Sequence, residues 1–381
     1  MKYVIASDSF KGSLSAIQVG RAVKQGILHA HPEAQVKIVP MADGGEGTLE
    51  ALLYANRGHE MRLQVHNPLM QPVLAKYAVF HQDGKDIVFI ECAQSSGLPL
   101  IAKNQRNPMN TNTYGLGEQI KDAVQRGYRH FIISLGGSAT NDGGVGMLQA
   151  LGWNFFDKKG QLIRNTGNPL LHIHSFSDTN KLPQLDACTF MAATDVINPF
   201  YGPHGAAFIF ARQKGATDQE ISVLDTAMQK FEQLLTEQYG VSVQTVSGAG
   251  AAGGLGGSLA ACLQAEITSG AELIMQHTNL EEHVRKADIV ITGEGSLDEQ
   301  TLLGKVPIAV AKLAKKHGKL VIGIAGRIDT DLNSLNAYLD AVFSIQTECL
   351  TLEYALTHDI AYKQVEVTAG QIAQLIKKLS L

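Results

Sequence analysis

The chain has 381 residues, 45% of them hydrophobic and 18% charged, which makes two globular domains the default and excludes a disordered, fibrous or disulfide-stapled polypeptide. With 32 basic and 36 acidic residues the formal charge is −4. That balance argues against nucleic acid or a membrane surface as partner and leaves small anions open. The four cysteines, Cys92, Cys188, Cys262 and Cys349, show no CxxC spacing, so they read as reduced packing residues of a cytoplasmic protein. None of the 13 histidines forms an H-x-x-x-H or H-E-x-x-H pair.

In chain order, a strand Tyr3 to Ala6 hands over through a polar loop to a helix from about Ser15, where Ser15 and Gln18 have capping-box spacing. A strand Val36 to Pro40 follows. Three β-rich runs, Arg62 to His66, Val73 to His81 and Asp86 to Glu91, are separated by Pro and Asp-Gly turn signals. The βα rhythm resumes with a helix near Gly117 to Arg126, a strand His130 to Leu135 and a helix beyond Gly144. Further strands are expected at Thr189 to Ala193 and Ala207 to Phe210, and Val241 to Val246 is a β-branched run. Beyond Lys286 come strand Asp288 to Thr292, helix Val306 to His317, strands Leu320 to Ala325 and Ala341 to Ser344, and a closing helix Ala369 to Leu379. The expected fold class is α/β. A discontinuous doubly wound domain, flavodoxin- or Rossmann-like, spans 1-60 plus 280-381, a mixed-sheet α/β domain is inserted at 61-279, and the active site lies in the cleft between them.

Glycine is the compositional anomaly, at 38 residues, and most of the excess sits where strands hand over to helices, which is where wound sheets bind ligands. Asp43-Gly44-Gly45-Glu46-Gly47-Thr48-Leu49-Glu50-Ala51-Leu52 and Asp142-Gly143-Gly144-Val145-Gly146-Met147-Leu148-Gln149-Ala150-Leu151 share Asp-Gly-Gly-x-Gly-x-Leu-x-Ala-Leu. Each reads as a helix N-terminus with bare N–H groups, its Asp either a helix cap or a magnesium ligand.

The first loop offers Asp8, Ser9 and Lys11. Lys11, with the N–H groups from Gly44, Gly45 and Glu46 to Gly47, is the nearest set to a substrate carboxylate site, and Arg106 would approach it from the inserted domain. The stretch Gly136-Gly137-Ser138-Ala139-Thr140-Asn141-Asp142 has the glycines, hydroxyls and amide of a phosphate cradle, with Asp142 able to cap the next helix or hold Mg²⁺. Lys214 and Lys305 add cations for phosphate, Glu294 and Asp298 add acids in the last loop, and Asp195 follows a strand end as base or metal ligand. Asp195 is the first candidate for general base and Asp298 the second. Gly248 to Gly253 contains G-x-G-x-x-G, with Gly250 and Gly253 expected near a phosphate or packed on a neighbouring backbone. An NAD-dependent dehydrogenase using that loop and a non-catalytic small-anion-binding protein stand as alternatives. Walker A and protein-kinase signatures are absent from the sequence.

Taken together, Asp8-Ser9-Phe10-Lys11, Ala42-Asp43-Gly44-Gly45-Glu46-Gly47-Thr48, Gly136-Gly137-Ser138-Ala139-Thr140-Asn141-Asp142-Gly143-Gly144, Gly248 to Gly254 and Thr292-Gly293-Glu294-Gly295 closely resemble the bacterial glycerate kinase family, in order from end to end. The resemblance implies phosphoryl transfer from ATP with Mg²⁺ to glycerate at the 2-hydroxyl, in glycerate, glyoxylate or sugar-acid catabolism. Four positions depart from the family pattern: Ser7 and Arg212 replace Pro, Ile197 replaces Asp, and Leu303 replaces His.

Overall fold

A computed structural model describes residues 1–45, 47–299, 301–303, 305–329 and 333–379, and the side chain of Leu303 lies outside the description. Glu46, expected among the substrate-binding residues, is outside it too.

The chain divides into two compact units, one of 1–43, 50–57 and 270–381, the other of 44–49 and 58–269. Strands in chain order are β1 (Lys2–Ile5), β2 (Gln35–Ile38), β3 (His59–His66), β4 (Pro72–Gln82), β5 (Lys85–Glu91), β6 (His130–Ser134), β7 (Asn154–Phe156), β8 (Ser175–Ser177), β9 (Thr189–Ala193), β10 (Glu266–Thr268), β11 (Ile289–Leu297), β12 (Leu320–Ile328) and β13 (Ala341–Ser344).

The first unit carries one parallel sheet in the order β13-β12-β11-β1-β2. Winding reverses between β1 and β11, so the crevice outside their carboxyl ends is a topological switch point, the usual ligand position in such sheets. The apolar residues of both strands, Tyr3, Ile5, Ile289 and Ile291, are buried, and the helix Ala16–Ala30 packs its Val19, Ala22, Val23 and Ile27 into the same core. That helix starts where the capping box predicted. Gln18 N donates to Ser15 Oγ at 3.3 Å and Ser15 N to Gln18 Oε1 at 2.8 Å.

The second unit has a mixed sheet, β10-β9-β6-β5-β4-β3, in which β5, β6, β9 and β10 run parallel and the β3–β4–β5 meander is antiparallel. The carboxyl ends of the parallel strands therefore deliver Glu91, the glycine-rich loop after Ser134, and Asp195 along one edge of this sheet.

Three expectations need correction. Ala207 to Phe210 lies in a helix, Ala206–Phe210, because a short apolar run has no period to separate strand from helix and its alanines suit the close-packed helical position. The β-branched run after Val241 is a 3₁₀ turn, Val243–Thr245. The closing helix starts at His358, well before Ala369. A 22-residue helix, Asp218–Tyr239, also runs where no element was expected.

Candidate active site

In the first unit, β1 and β11 are stitched together at their carboxyl ends. Thr292 Oγ1 donates to Ala6 O at 2.7 Å, and Ser7 Oγ and Asp8 N donate to Gly293 O, each at 2.9 Å. Ser7 thus joins β1 to β11 through its hydroxyl. This stitching fixes Asp8 at the switch point, 3% exposed, with Ser9 N donating to its Oδ1 at 2.6 Å. Burial, and then the Asp43 carboxylate, push the Asp8 carboxyl up to about 7, against the pull of Ser9 N and Lys11. Lys11 Nζ lies 3.3 Å from Asp43 Oδ2, with the lysine side chain mostly exposed and Asp43 a quarter exposed. Desolvation opposes the Lys11 charge, yet Asp43 and Asp8 outweigh it and raise its pKa. Glu294, on β11, is 8% exposed and accepts from Thr301 Oγ1 at 2.6 Å, and burial raises its pKa. Lys305, at the N-cap of the helix Val306–Lys316, pulls that pKa the other way. Three acids and a lysine around one strand-end crevice can hold a small anion by the ammonium and take a proton by a carboxylate.

Asp298 has a local duty. Its Oδ1 accepts from Thr301 N at 3.3 Å, at the start of the 3₁₀ turn Thr301–Leu303, which sets it to a capping duty.

In the second unit the glycine-rich loop is braced from beneath. Lys214 is 3% exposed and donates to Ser138 Oγ at 2.9 Å and Thr140 O at 2.7 Å. Burial pushes its pKa down to about 8. Cys92 Sγ donates to Gly136 O at 3.3 Å, and burial pushes this thiol up to about 12. Leu98 N donates to Gly137 O at 2.9 Å. Lys214 was expected to meet phosphate directly, but its charge is engaged inside the protein.

Asp142 needs a larger correction. It is fully buried, and its carboxylate accepts from Thr113 N and Oγ1, both at 2.8 Å, Gly146 N at 3.0 Å and Gly144 N at 3.2 Å. Burial raises its pKa against those donors. With its lone pairs so occupied it is a loop cap, and the magnesium-ligand expectation is withdrawn. By contrast, Thr140 Oγ1 and Asn141 Oδ1 are buried without a hydrogen-bond partner among the described residues.

Gly250 and Gly253 serve packing. A Cβ at Gly253 would collide with Thr140 O, and Gly143 N donates to Gly253 O at 3.0 Å. At Gly250 a Cβ would strike Pro199 O. Both are buried against backbone, which is the neighbouring-backbone packing expected of them. The dinucleotide reading falls, since a 3₁₀ turn and not a strand precedes the glycines.

Arg106 donates from Nε to Ile101 O and from Nη2 to Leu98 O, both at 3.2 Å, which ties its guanidinium to its own loop. Asp195 is exposed beyond β9 and receives Ser269 Oγ at 2.8 Å. Among the described residues no trio of His, Cys, Asp or Glu converges as a ready-made metal cage. A buried acid beside the Asp43 loop was not anticipated from the sequence. Glu91, at the end of β5, accepts Leu49 N and Gln94 Nε2, each at 2.9 Å, and so holds the first turn of the helix that follows Asp43-Gly44-Gly45. A lone acid ending an apolar strand was its only trace in the sequence.

The sequence model of the glycerate kinase family matches residues 3–377. The chain belongs to the glycerate kinase family. It is a kinase, 44% identical over 356 residues to a glycerate 2-kinase of Escherichia coli K12, covering 93% of each chain. A glycerate kinase of Bacillus cereus is 41% identical, with 99% of this chain and 98% of the relative covered. A crystal structure from Salmonella typhimurium LT2, provisionally named glycerate kinase 2, superposes with a TM-score of 0.89 at 42% identity over 100% of this chain and 99% of that one. Among the described residues no helix is long and apolar enough to cross a membrane.

Proposed function

We propose that the chain transfers the γ-phosphoryl group of ATP to the 2-hydroxyl of D-glycerate in the cytoplasm, releasing ADP and 2-phosphoglycerate, and that this step belongs to sugar-acid or glyoxylate breakdown. The observation that carries the reading is the crevice at the β1/β11 switch point, where a buried Asp8 sits in the field of Lys11 and Asp43. A three-carbon acid offers little apolar area, so its recognition rests on charge-assisted contacts. Lys11 takes the substrate carboxylate, and Asp43 keeps that ammonium in place. Asp8 replaces Asp195 and Asp298 as the proposed base: a carboxyl near neutrality is matched to accepting a hydroxyl proton at working pH. Glu294 and Lys305 flank it.

The loop from Gly136 to Asn141 serves the phosphoryl oxygens through backbone N–H groups, with Lys214 and Asp142 holding its shape from below. The buried, unpartnered oxygens of Thr140 and Asn141 support a loop that completes its bonding with a ligand or its waters. Magnesium, which the reaction class implies, needs only one or two carboxylates plus phosphate oxygens. The exposed Asp195 beyond β9 fits that requirement. When bound, the ion would neutralise charge on the phosphates.

The test incubates the pure protein with ATP, Mg²⁺ and D-glycerate and follows phosphorus NMR together with ADP release. A 2-phosphoglycerate resonance growing in step with ADP is expected. ADP no faster than with ATP alone would overturn the kinase assignment, and 3-phosphoglycerate as product would overturn the hydroxyl assignment alone.

A further inference from the structure

Behind the glycine-rich loop, within the second unit, lies a groove of about 1010 Å³. The helix Asp218–Tyr239 forms one wall and the 3₁₀ turn Pro169–His172 another. Its apolar surface comes from Leu170, Ile173, Val223, Ala227 and Phe231, and Lys158, Lys159 and Lys230 stand at its rim. The one carboxylate lining it, Asp157, already accepts Lys159 N at 2.8 Å and Gln161 N at 2.9 Å, and those bonds hold its pKa low. The groove therefore offers an apolar floor, net positive charge and the volume of a metabolite site.

Its walls also touch the loop. Phe231 lines the groove, and the same ring lies under Gly143, where a Cβ would stand 3.1 Å from Phe231 Cδ1. One turn earlier, Met228 Sδ accepts from Asn141 Nδ2 at 3.1 Å. From the other wall, Leu170 N donates to Asn168 Oδ1 at 3.1 Å, and Asn168 Nδ2 donates to Asn141 O at 3.0 Å and Pro108 O at 2.9 Å. Asn168 is 3% exposed, so this link is protected from water. A body wedged between the two walls would bear on Asn141 from both sides, because packed interiors transmit small displacements.

We propose that this groove is a second ligand site, for a small anion carrying an apolar or aromatic body, and that its occupancy is felt by the glycine-rich loop. The ligand site does not depend on the kinase reading. Only an effect on turnover would.

The probe is 8-anilino-1-naphthalenesulfonate, an aromatic anion, titrated into the full chain by fluorescence, with Val223→Asp and Lys230→Glu as variants. Both positions are exposed on the helix surface and stand outside the proposed catalytic groups. Saturable one-to-one binding is expected, weakened about tenfold or more in each variant through the lost apolar or charge contact. Amide exchange across 136–146 should slow when the probe saturates the wild type, and stay unchanged in the variants at the same probe concentration. Saturating ATP should shift the probe's affinity without expelling it, and the probe should shift ATP affinity by the same factor. Variants that bind like wild type, stoichiometric displacement by ATP, or an unmoved exchange profile would each overturn the proposal. So would a dimer in sedimentation that the two variants dissociate, since the groove would then be a self-interface. The probe titration, the variants and the exchange profile stand without the kinase assignment, whereas the reciprocal ATP shift rests on it.

Discussion

Two loops of this chain carry one pattern, Asp-Gly-Gly-x-Gly-x-Leu-x-Ala-Leu, and use its aspartate in opposite ways. Asp142 is fully buried under four internal donors, while Asp43 is a quarter exposed and faces the ammonium of Lys11. Asp142 sits where every lone pair must be met inside the protein, because an unsatisfied buried carboxylate is costly. Asp43 lies in the loop beyond β2, partly exposed, where water can share its charge. The same local sequence thus gives a structural cap in one place and a group able to work on a ligand in the other. The deciding factor is what lies around each loop.

On the proposed function, the first unit's crevice carries chemistry and the buried groups of the second hold shape. The largest effect should come from Asp8→Asn, which is expected to lower kcat by about 10² to 10⁴ while the variant still folds cooperatively. Stability adds a sign. A folded pKa of about 7 lies above the ordinary carboxyl value, so Asp8 contributes stability below about pH 4 that is lost as pH rises through about 7. Urea midpoints of wild type minus Asp8→Asn should therefore fall over that interval, and a flat difference would remove the burial argument.

Lys214→Met sharpens the other half. Losing the brace should lower kcat/KM for ATP by about ten- to a hundredfold through a misplaced loop. In the wild type Lys214 releases its proton near pH 8 when folded and at the ordinary lysine value when unfolded, so its stability contribution rises with pH above about 8. Activity should fall over the range where this contribution grows. If the two curves fall together, deprotonation of Lys214 is not what limits turnover. The smallest effect is Lys11→Ala, expected to raise KM for glycerate about tenfold while changing unfolding free energy by less than about 1 kcal/mol, since the pair with Asp43 is largely exposed. A rise in KM for ATP alone would move Lys11 to the nucleotide side.

Much of this was legible before any coordinates. The Ser15/Gln18 capping box, the meander and the strands at both ends follow from period and turn chemistry, and the glycine clusters marked the strand ends where the crevice lies. The helix Asp218–Tyr239 was readable and went unread: Thr217 and Glu220 form a capping box, and Ile221, Leu224, Met228, Phe231 and Leu235 keep helical spacing. What sequence could not supply was the identity of distant partners. Nothing near Asp142 in the chain announces Thr113, nothing near Lys214 announces Ser138, and the collision that requires Gly253 comes from Thr140. The glycine-rich loop is legible as a loop at a strand end, while several individual roles in it are not, because burial converts a reactive group into a brace.

The central claim is tested most directly by measuring thermal midpoint and kcat/KM for glycerate side by side in Asp43→Asn and Asp142→Asn. The account predicts that Asp43→Asn melts like wild type and loses about tenfold or more in kcat/KM. It predicts that Asp142→Asn, with an amide donor turned toward the N–H groups of Thr113, Gly144 and Gly146, melts several degrees lower. An Asp142→Asn protein with an unchanged midpoint and no turnover would contradict it, because Asp142 would then belong to the chemistry and not to the frame.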